Sequence, residues 1–546
     1  MKSVTFTLLK EITYLLLALA LFSCDRSIEV IPTDQVSDQT LWQNTENADL
    51  FLNDVYGSIP APFNSPDPWE NFSDNSINGI ANRFSSAVYA NSGYTPSNGP
   101  SQWDNYNGIR KCNVFIKGVT GSELPETWKK LRLGEARYLR AYYHMLLCTS
   151  HGSVPIIDEV LSLSEQGKGI YRPNNTFEET FKFITDECAA IAGDLPLASQ
   201  AGRVTKGAAL ALKGWCELFA ASPLHNPTGD KEKWRIAAQT NKSIIELNLY
   251  KLFPDYGTLF LEGNNNNSEV IFDKVYLGGT TLGNRKTSLQ APSYVNGVAR
   301  AFAGVNPTQE LVDEYAMANG LPISDPKSGY DPQNPYLNRE QRFYKDIVYD
   351  GSTWLGSEIV TRLGQGSKNE IDLNEKSEAT NTGYYFRKGM DPLYAFIDND
   401  LNSAHFIIFR YAEILLSYAE AQNEAVGPDE SVYDAVNQVR ARVKLPALTA
   451  GFTQAQMRVA ILRERRVELC LEEKRWYDLI RLKIAENKLN GQLHGMAIST
   501  EKGKRVYKVV TTPGGERIFY ANKNYVFPIP QAAMDTNPKL VQNPNY

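Results

Sequence analysis

The chain has 546 residues, 42% hydrophobic and 22% charged, the composition of a globular protein with a sizeable core. Its net charge of −6 excludes the basic footprint that nucleic-acid binding needs. Six scattered cysteines, none in a CxxC pair, argue against a disulfide framework at this length.

At the N-terminus, Lys2 and Lys10 precede an apolar run from Ile12 to Ser23. That run is shorter than the about 20 apolar residues a spanning helix needs. A basic start, a short apolar stretch and a small residue before the cut are the layout of a secretory signal. Leu21-Phe22-Ser23-Cys24 resembles a bacterial lipobox, with Phe22 in place of the usual small or branched residue. Residues 1–23 are therefore expected to be a signal peptide, and Cys24 the lipidated mature N-terminus. Each buried methylene contributes about 0.8 kcal/mol, so two or more acyl chains anchor a body without a spanning helix. Residues 25–34 are polar and acidic and read as a tether; no later segment is apolar enough for a second membrane pass.

The body, residues 24–546, reads as one unit in three parts: 24–250, 251–404 and 405–546. Residues 59–102 are rich in Asn, Ser, Gly and Pro and read as irregular. Apolar periodicity then predicts helices over 128–149, 176–194, 205–221 and 234–247. Thr176 with Glu179 three residues on is a capping box. The middle part, 251–404, is loop-rich, with short strand-like runs such as Glu269-Val270-Ile271-Phe272. Helices are predicted again over 406–424, 431–443, 453–471 and 475–486. Paired helices with short turns suggest a mainly α fold, a tetratricopeptide-like α-solenoid packed against an irregular region with short strands. Cys148, Cys188, Cys216 and Cys470 fall on apolar helical patterns and read as core. Long loops on a rigid helical scaffold are where a binding site is expected.

Several motifs occur in order along the body. Trp103 to Asn113 reads W-x-x-Y-x-x-I-x-x-CN, and Gly134-Glu135-Ala136-Arg137-Tyr138-Leu139-Arg140-Ala141 is followed by Gly152-Ser153-Val154-Pro155. Later come Arg410-Tyr411-Ala412-Glu413, Tyr418-Ala419-Glu420-Ala421, and Arg465-Arg466-Val467-Glu468-Leu469 with Arg475 to Arg481. The end carries Pro528-Ile529-Pro530 and Gln542-Asn543-Pro544-Asn545-Tyr546. This set resembles the SusD/RagB family. Glu473, where many members have Gly, and His151, where they have Tyr or Phe, are departures expected to lie away from the ligand site. The resemblance implies a non-enzymatic, lipid-anchored protein at the outer face of the outer membrane. It implies capture of oligosaccharides, or of peptides in the RagB branch, and delivery to a SusC-like TonB-dependent transporter.

Glu464, Glu468 and Glu472 share one helix face and tempt a glycosidase reading, since such enzymes use paired carboxylates. Interleaved arginines favour ion pairing instead, with Glu472–Arg475 and Arg475–Asp478 at the i, i+3 spacing. His144 and His151 lack a third ligand at metal spacing, and the run from Asp398 fails the calcium-loop pattern at its sixth and twelfth positions. No nucleophile elbow or phosphate loop occurs, so neither a cofactor, a metal nor a catalytic residue is expected. Sugar binding needs flat aromatic faces beside hydrogen-bonding side chains, and loop residues Trp69, Asn71, Asp74, Arg83, Tyr94, Tyr294 and Trp354 are the candidates. Trp69 and Trp354 stand out because both lie in polar, Pro/Gly-rich surroundings. A surface glycosidase using Asp67, Glu70 or Asp74, and a protein-binding tetratricopeptide adaptor, are the alternatives.

Overall fold

The structure, a computed structural model, describes residues 38–62, 68–79, 90, 92–374, 377–394 and 401–546. Cys24 and the signal peptide, Arg83, Asp67 and Asp398 lie outside the described residues.

Helices dominate the body. They are α1 (Thr45–Gly57), α2 (Asn105–Thr120), α3 (Glu126–His151), α4 (Phe177–Ile191), α5 (Lys206–Ala221) and α6 (Lys231–Ile245). After a long insertion follow α7 (Tyr411–Val426), α8 (Glu430–Arg442), α9 (Gln454–Glu468) and α10 (Arg475–Arg481). From α1 to α7 each helix packs on the one before it, and α8 and α9 both pack on α7. The insertion between α6 and α7 leaves the stack unbroken, because those two helices are in extensive contact. The predicted α-solenoid character is thus present.

Local sequence explains the individual helices. In α4, Phe177, Phe181, Ile184, Cys188 and Ile191 are buried at three- and four-residue steps, and the Thr176–Glu179 capping box forms as read. Thr453 and Gln456 make a second box at the start of α9. The predicted helix over 406–424 is wrong at its start. Its first five residues are strand β4 (Phe406–Arg410), which pairs antiparallel with β2 (Val270–Lys274). A short apolar run buried on both faces looks the same in sequence whether helix or strand, and here the partner strand decides. The predicted helix over 475–486 also breaks, with Lys483 in the left-handed region at φ 55°.

Four further strands matter to the loops. β1 (Ser76–Asn78) pairs with β3 (Val305–Pro307), stitching the first irregular segment to the insertion. β5 (His494–Glu501) and β6 (Lys504–Thr511) form a hairpin closed by Lys502 and Gly503, both at positive φ, as a type I′ turn requires. One apolar core lies among α1–α5, a second in the insertion and the β5–β6 hairpin, and a third among α6–α9. Cys112, Cys148, Cys188, Cys216 and Cys470 are free and buried, as core residues should be.

Candidate functional site

Glu464 and Glu468 of α9, and Glu472 beyond its end, lie inside the protein, each against cations; the shared helix face stops at Glu468, before Leu471 at φ 57°. Arg410, at the β4–α7 junction, donates to Glu269 at 2.6 Å, to Glu468 at 2.7 Å and through two nitrogens to Glu472 at 2.7 Å. Arg442 pairs with Glu269 at 2.9 Å and also with Glu468. Arg342 reaches Glu464 at 2.6 Å and Glu468 at 3.0 Å, and Lys388 reaches Glu472 at 2.6 Å. Burial alone would raise the Glu468 carboxyl, but the Arg442, Arg410 and Arg342 guanidiniums hold it well below the usual carboxylate range. Buried and paired with cations in this way, these carboxylates form a staple joining helices to insertion.

The partners differ from those spacing suggested. Arg475 pairs with Asp74 at 2.7 Å rather than with Glu472 or Asp478. Asp478 accepts from Arg465 and Arg481, each at 2.9 Å. The Gly134–Ala141 motif is structural too: Glu135 accepts from Tyr56 at 2.6 Å, and Arg137 and Arg140 both grip Glu187. At the C-terminus, Asn543 donates to the carbonyls of His151 and Phe527, latching the tail onto α3.

Of the seven loop residues expected at a ligand, the structure buries four. Asp74 is the partner of Arg475 and Arg466, whose charges outweigh burial and hold its carboxyl far down. Asn71 donates to the Gly304 carbonyl and accepts from Ser76. Tyr94 hydrogen-bonds Asn524 and Tyr546. Trp354 is 1% exposed in the second core. The structure thus places these four inside the body and not on an open loop surface, and neither ring turns a stacking face to solvent. Glu70, weighed as a catalytic acid, is also fully buried and accepts from Asn75.

Trp69 and Tyr294 remain half-buried, in separate places. Trp69 stacks on Phe527 at 5.5 Å and on Trp476 at 6.4 Å, and also lines a cavity of about 260 Å³. Pro60, Pro62 and Pro68 bound it on the loop side, and Tyr142, Trp215, Phe409 and Tyr477 on the body side, with Glu473 and Gln102 as polar members. That is small beside the roughly 300–1,000 Å³ of common ligand pockets and suits a ring-sized group. Glu473 is not remote from this site: its carboxylate accepts the Trp69 backbone N–H at 2.6 Å. The expectation that this departure lies away from the ligand residues is overturned.

Tyr294 sits on a two-residue hairpin with Val298 and Ala299, turned by Asn296 and Gly297 at positive φ. Asn369 donates to its carbonyl at 2.8 Å, and Tyr385 Oη in turn donates to Asn369 at 2.8 Å. The exposed Lys368 ammonium lies 5.5 Å from its ring centre. This is a partly exposed aromatic on a braced turn, the arrangement a sugar-stacking platform requires.

Comparison with known proteins decides the family. The sequence model of the SusD family matches residues 268–546. The chain belongs to the SusD family. Among its relatives is the SusD-like protein P38 of Formosa agariphila, 24% identical over 86% of this chain and 91% of that protein. A solved SusD-like protein of Bacteroides fragilis superposes with TM-score 0.80 and 29% identity, over 94% of this chain and all of that one. A second from the same organism, named a SusD-like carbohydrate-binding protein, gives 0.79 and 27%, over 92% and 100%.

In this SusD-family protein the motif residues are thus chiefly those of the charge staple and the tail latch. No helix among the described residues is long and apolar enough to cross a membrane, and no group of three His, Cys, Asp or Glu side chains among them is placed to hold a metal ion. Sequence reading missed Glu473 as a site residue. Its signal was the replacement of a glycine, which points to a positive φ, and Glu473 has φ 62°.

Proposed function

We propose that this SusD-family protein captures oligosaccharides at the cell surface and passes them to a SusC-like TonB-dependent outer-membrane transporter, without making or breaking a bond. The observation that carries the reading is the end-to-end likeness to a solved carbohydrate-binding relative. Two partly exposed aromatic residues, Trp69 at the cavity and Tyr294 on its braced turn, supply stacking faces on the loop-rich side. The charge staple fixes those loops to the helices, so the platform is set before ligand arrives and less ordering entropy opposes binding. In this proposal an acylated Cys24 tethers the body to the outer membrane, and the helical stack faces the transporter.

Calorimetry against a panel of oligosaccharides, with reducing-end release measured in parallel, tests the reading. The expected outcome is saturable binding of at least one glycan with no release of reducing ends. Tyr294→Ala or Trp69→Ala is expected to weaken binding about tenfold, roughly 1.4 kcal/mol. Release of reducing ends, or binding of peptides and of no glycan, would sink it.

A further inference from the structure

Arg387 follows the short strand Tyr385–Phe386, and its N–H donates to the Asp346 carbonyl across a ladder with Ile347–Val348. Its half-buried guanidinium has no hydrogen bond and no ion pair among the described residues. It lies 5.7 Å from the ring centre of Trp354, whose indole N–H is also without an acceptor. Neither donor has an acceptor among the described residues. A desolvated cation without a counter-charge is unfavourable, and burial pulls the guanidinium below its ordinary value.

Asp346 accepts from Tyr315 at 2.9 Å and from Tyr256 at 3.0 Å through one oxygen, and neither oxygen receives the Arg387 guanidinium. Asp350 and Glu358 both hold Arg362, at 3.0 and 3.1 Å. Arg505 of β6, 44% exposed, comes only to 3.7 Å of Asp350. The face therefore holds Arg362 and Arg505 on a shared Asp350 and leaves Arg387 without an ion pair among the described residues. It is also aromatic: half-buried Tyr349 and Tyr507 pack on Tyr336 at 4.5 and 5.8 Å, and Tyr344 lies 6.2 Å from Tyr349. Tyr349 is close enough to Arg387 for that charge to act on its phenol.

We propose that Arg387 binds the anionic group of an acidic glycan, a uronate carboxylate or a sulfate ester, whose sugar ring lies on Tyr349 and Tyr344. The guanidinium fork matches either group with two parallel hydrogen bonds. The proposal rests on the glycan-capture reading and names a substrate class for it.

The test is calorimetry of the wild-type protein, Arg387→Gln and Arg387→Lys with three probes: an oligogalacturonide, a sulfated galactan oligosaccharide and a neutral cello-oligosaccharide of equal length. The wild type is expected to bind one anionic probe at least tenfold more tightly than the neutral one, less so at high salt. Arg387→Gln should lose that advantage while Arg387→Lys keeps part of it, and neither should change binding of the neutral probe. Which anionic probe responds separates carboxylate from sulfate. With no ion pair to lose, Arg387→Gln should melt at or above the wild-type temperature. Equal affinity of wild type and Arg387→Gln for both anionic probes overturns the inference, as does a lowered melting temperature with unchanged affinity. Binding of the neutral probe without anionic preference overturns this inference alone; failure of every glycan, here and on the wider panel, overturns glycan capture itself.

Discussion

At the residue scale, Glu473 combines two opposing terms. Its φ of 62° is a conformation in which a non-glycine residue costs roughly 1–2 kcal/mol. Its carboxylate recovers part of this by accepting the Trp69 N–H. Substitution separates the terms. Glu473→Ala loses the hydrogen bond and keeps the strain, whereas Glu473→Gly loses the bond and relieves the strain. The glycine variant is therefore expected to be more stable than the alanine variant by about 1 kcal/mol, as urea denaturation would show. Equal stability would mean that the backbone there is unstrained. The two favoured tryptophans make a related point. Trp69 lines a cavity, but Trp354 alternates with exposed Thr353 along a two-residue strand and points inward. Polar neighbours in sequence say little about burial where the pleat sends successive side chains to opposite sides.

At the element scale, α3 is tied down through two histidines. His144 donates from Nδ1 to the Arg140 carbonyl and accepts the Ile157 N–H at Nε2. His151 donates to the Pro528 carbonyl and accepts the Gln102 N–H. Burial lowers both to about 4, so both stay neutral in the fold while the unfolded chain protonates near 6.5. Between those values the unfolded state holds more protons, so stability falls as pH falls. The loss is about 1.4 kcal/mol per pH unit for each histidine. Asp346, raised to about 6 by burial, acts in the opposite direction, so the histidine share is read by difference. Denaturation of wild type and His151→Gln from pH 7 to pH 4 should show a shallower decline in the variant. Parallel curves would remove His151 from the account.

At the scale of the whole molecule, the staple around Arg410 joins β2, β4, α8, α9 and the insertion through five buried glutamates and five buried cations. Such a set adds little net stability over an apolar core, but removing one member strands the rest. Arg410→Met leaves Glu269, Glu468 and Glu472 short of a counter-charge and is expected to cost about 3–5 kcal/mol in urea denaturation. A loss below about 1 kcal/mol would show that water or rearranged arginines replace it.

The sequence by itself determined most of the helices and the family. Capping boxes, apolar steps of three and four, and motifs in order are local, and local patterns are written within a few residues. It also marked the α9 glutamates as ion-pairing, from the arginines among them. Only the tertiary structure decided which charge meets which. Arg475 takes Asp74 from the first irregular segment, and Arg410 takes Glu269 from the insertion, across 401 and 141 residues that no helical spacing can count. The same holds for the site: four of the seven loop residues read from composition are buried, while Arg387, beside the Trp354 ring, has no ion pair among the described residues. Burial and charge balance are sums over everything that surrounds a side chain, and those surroundings exist only once the chain has folded.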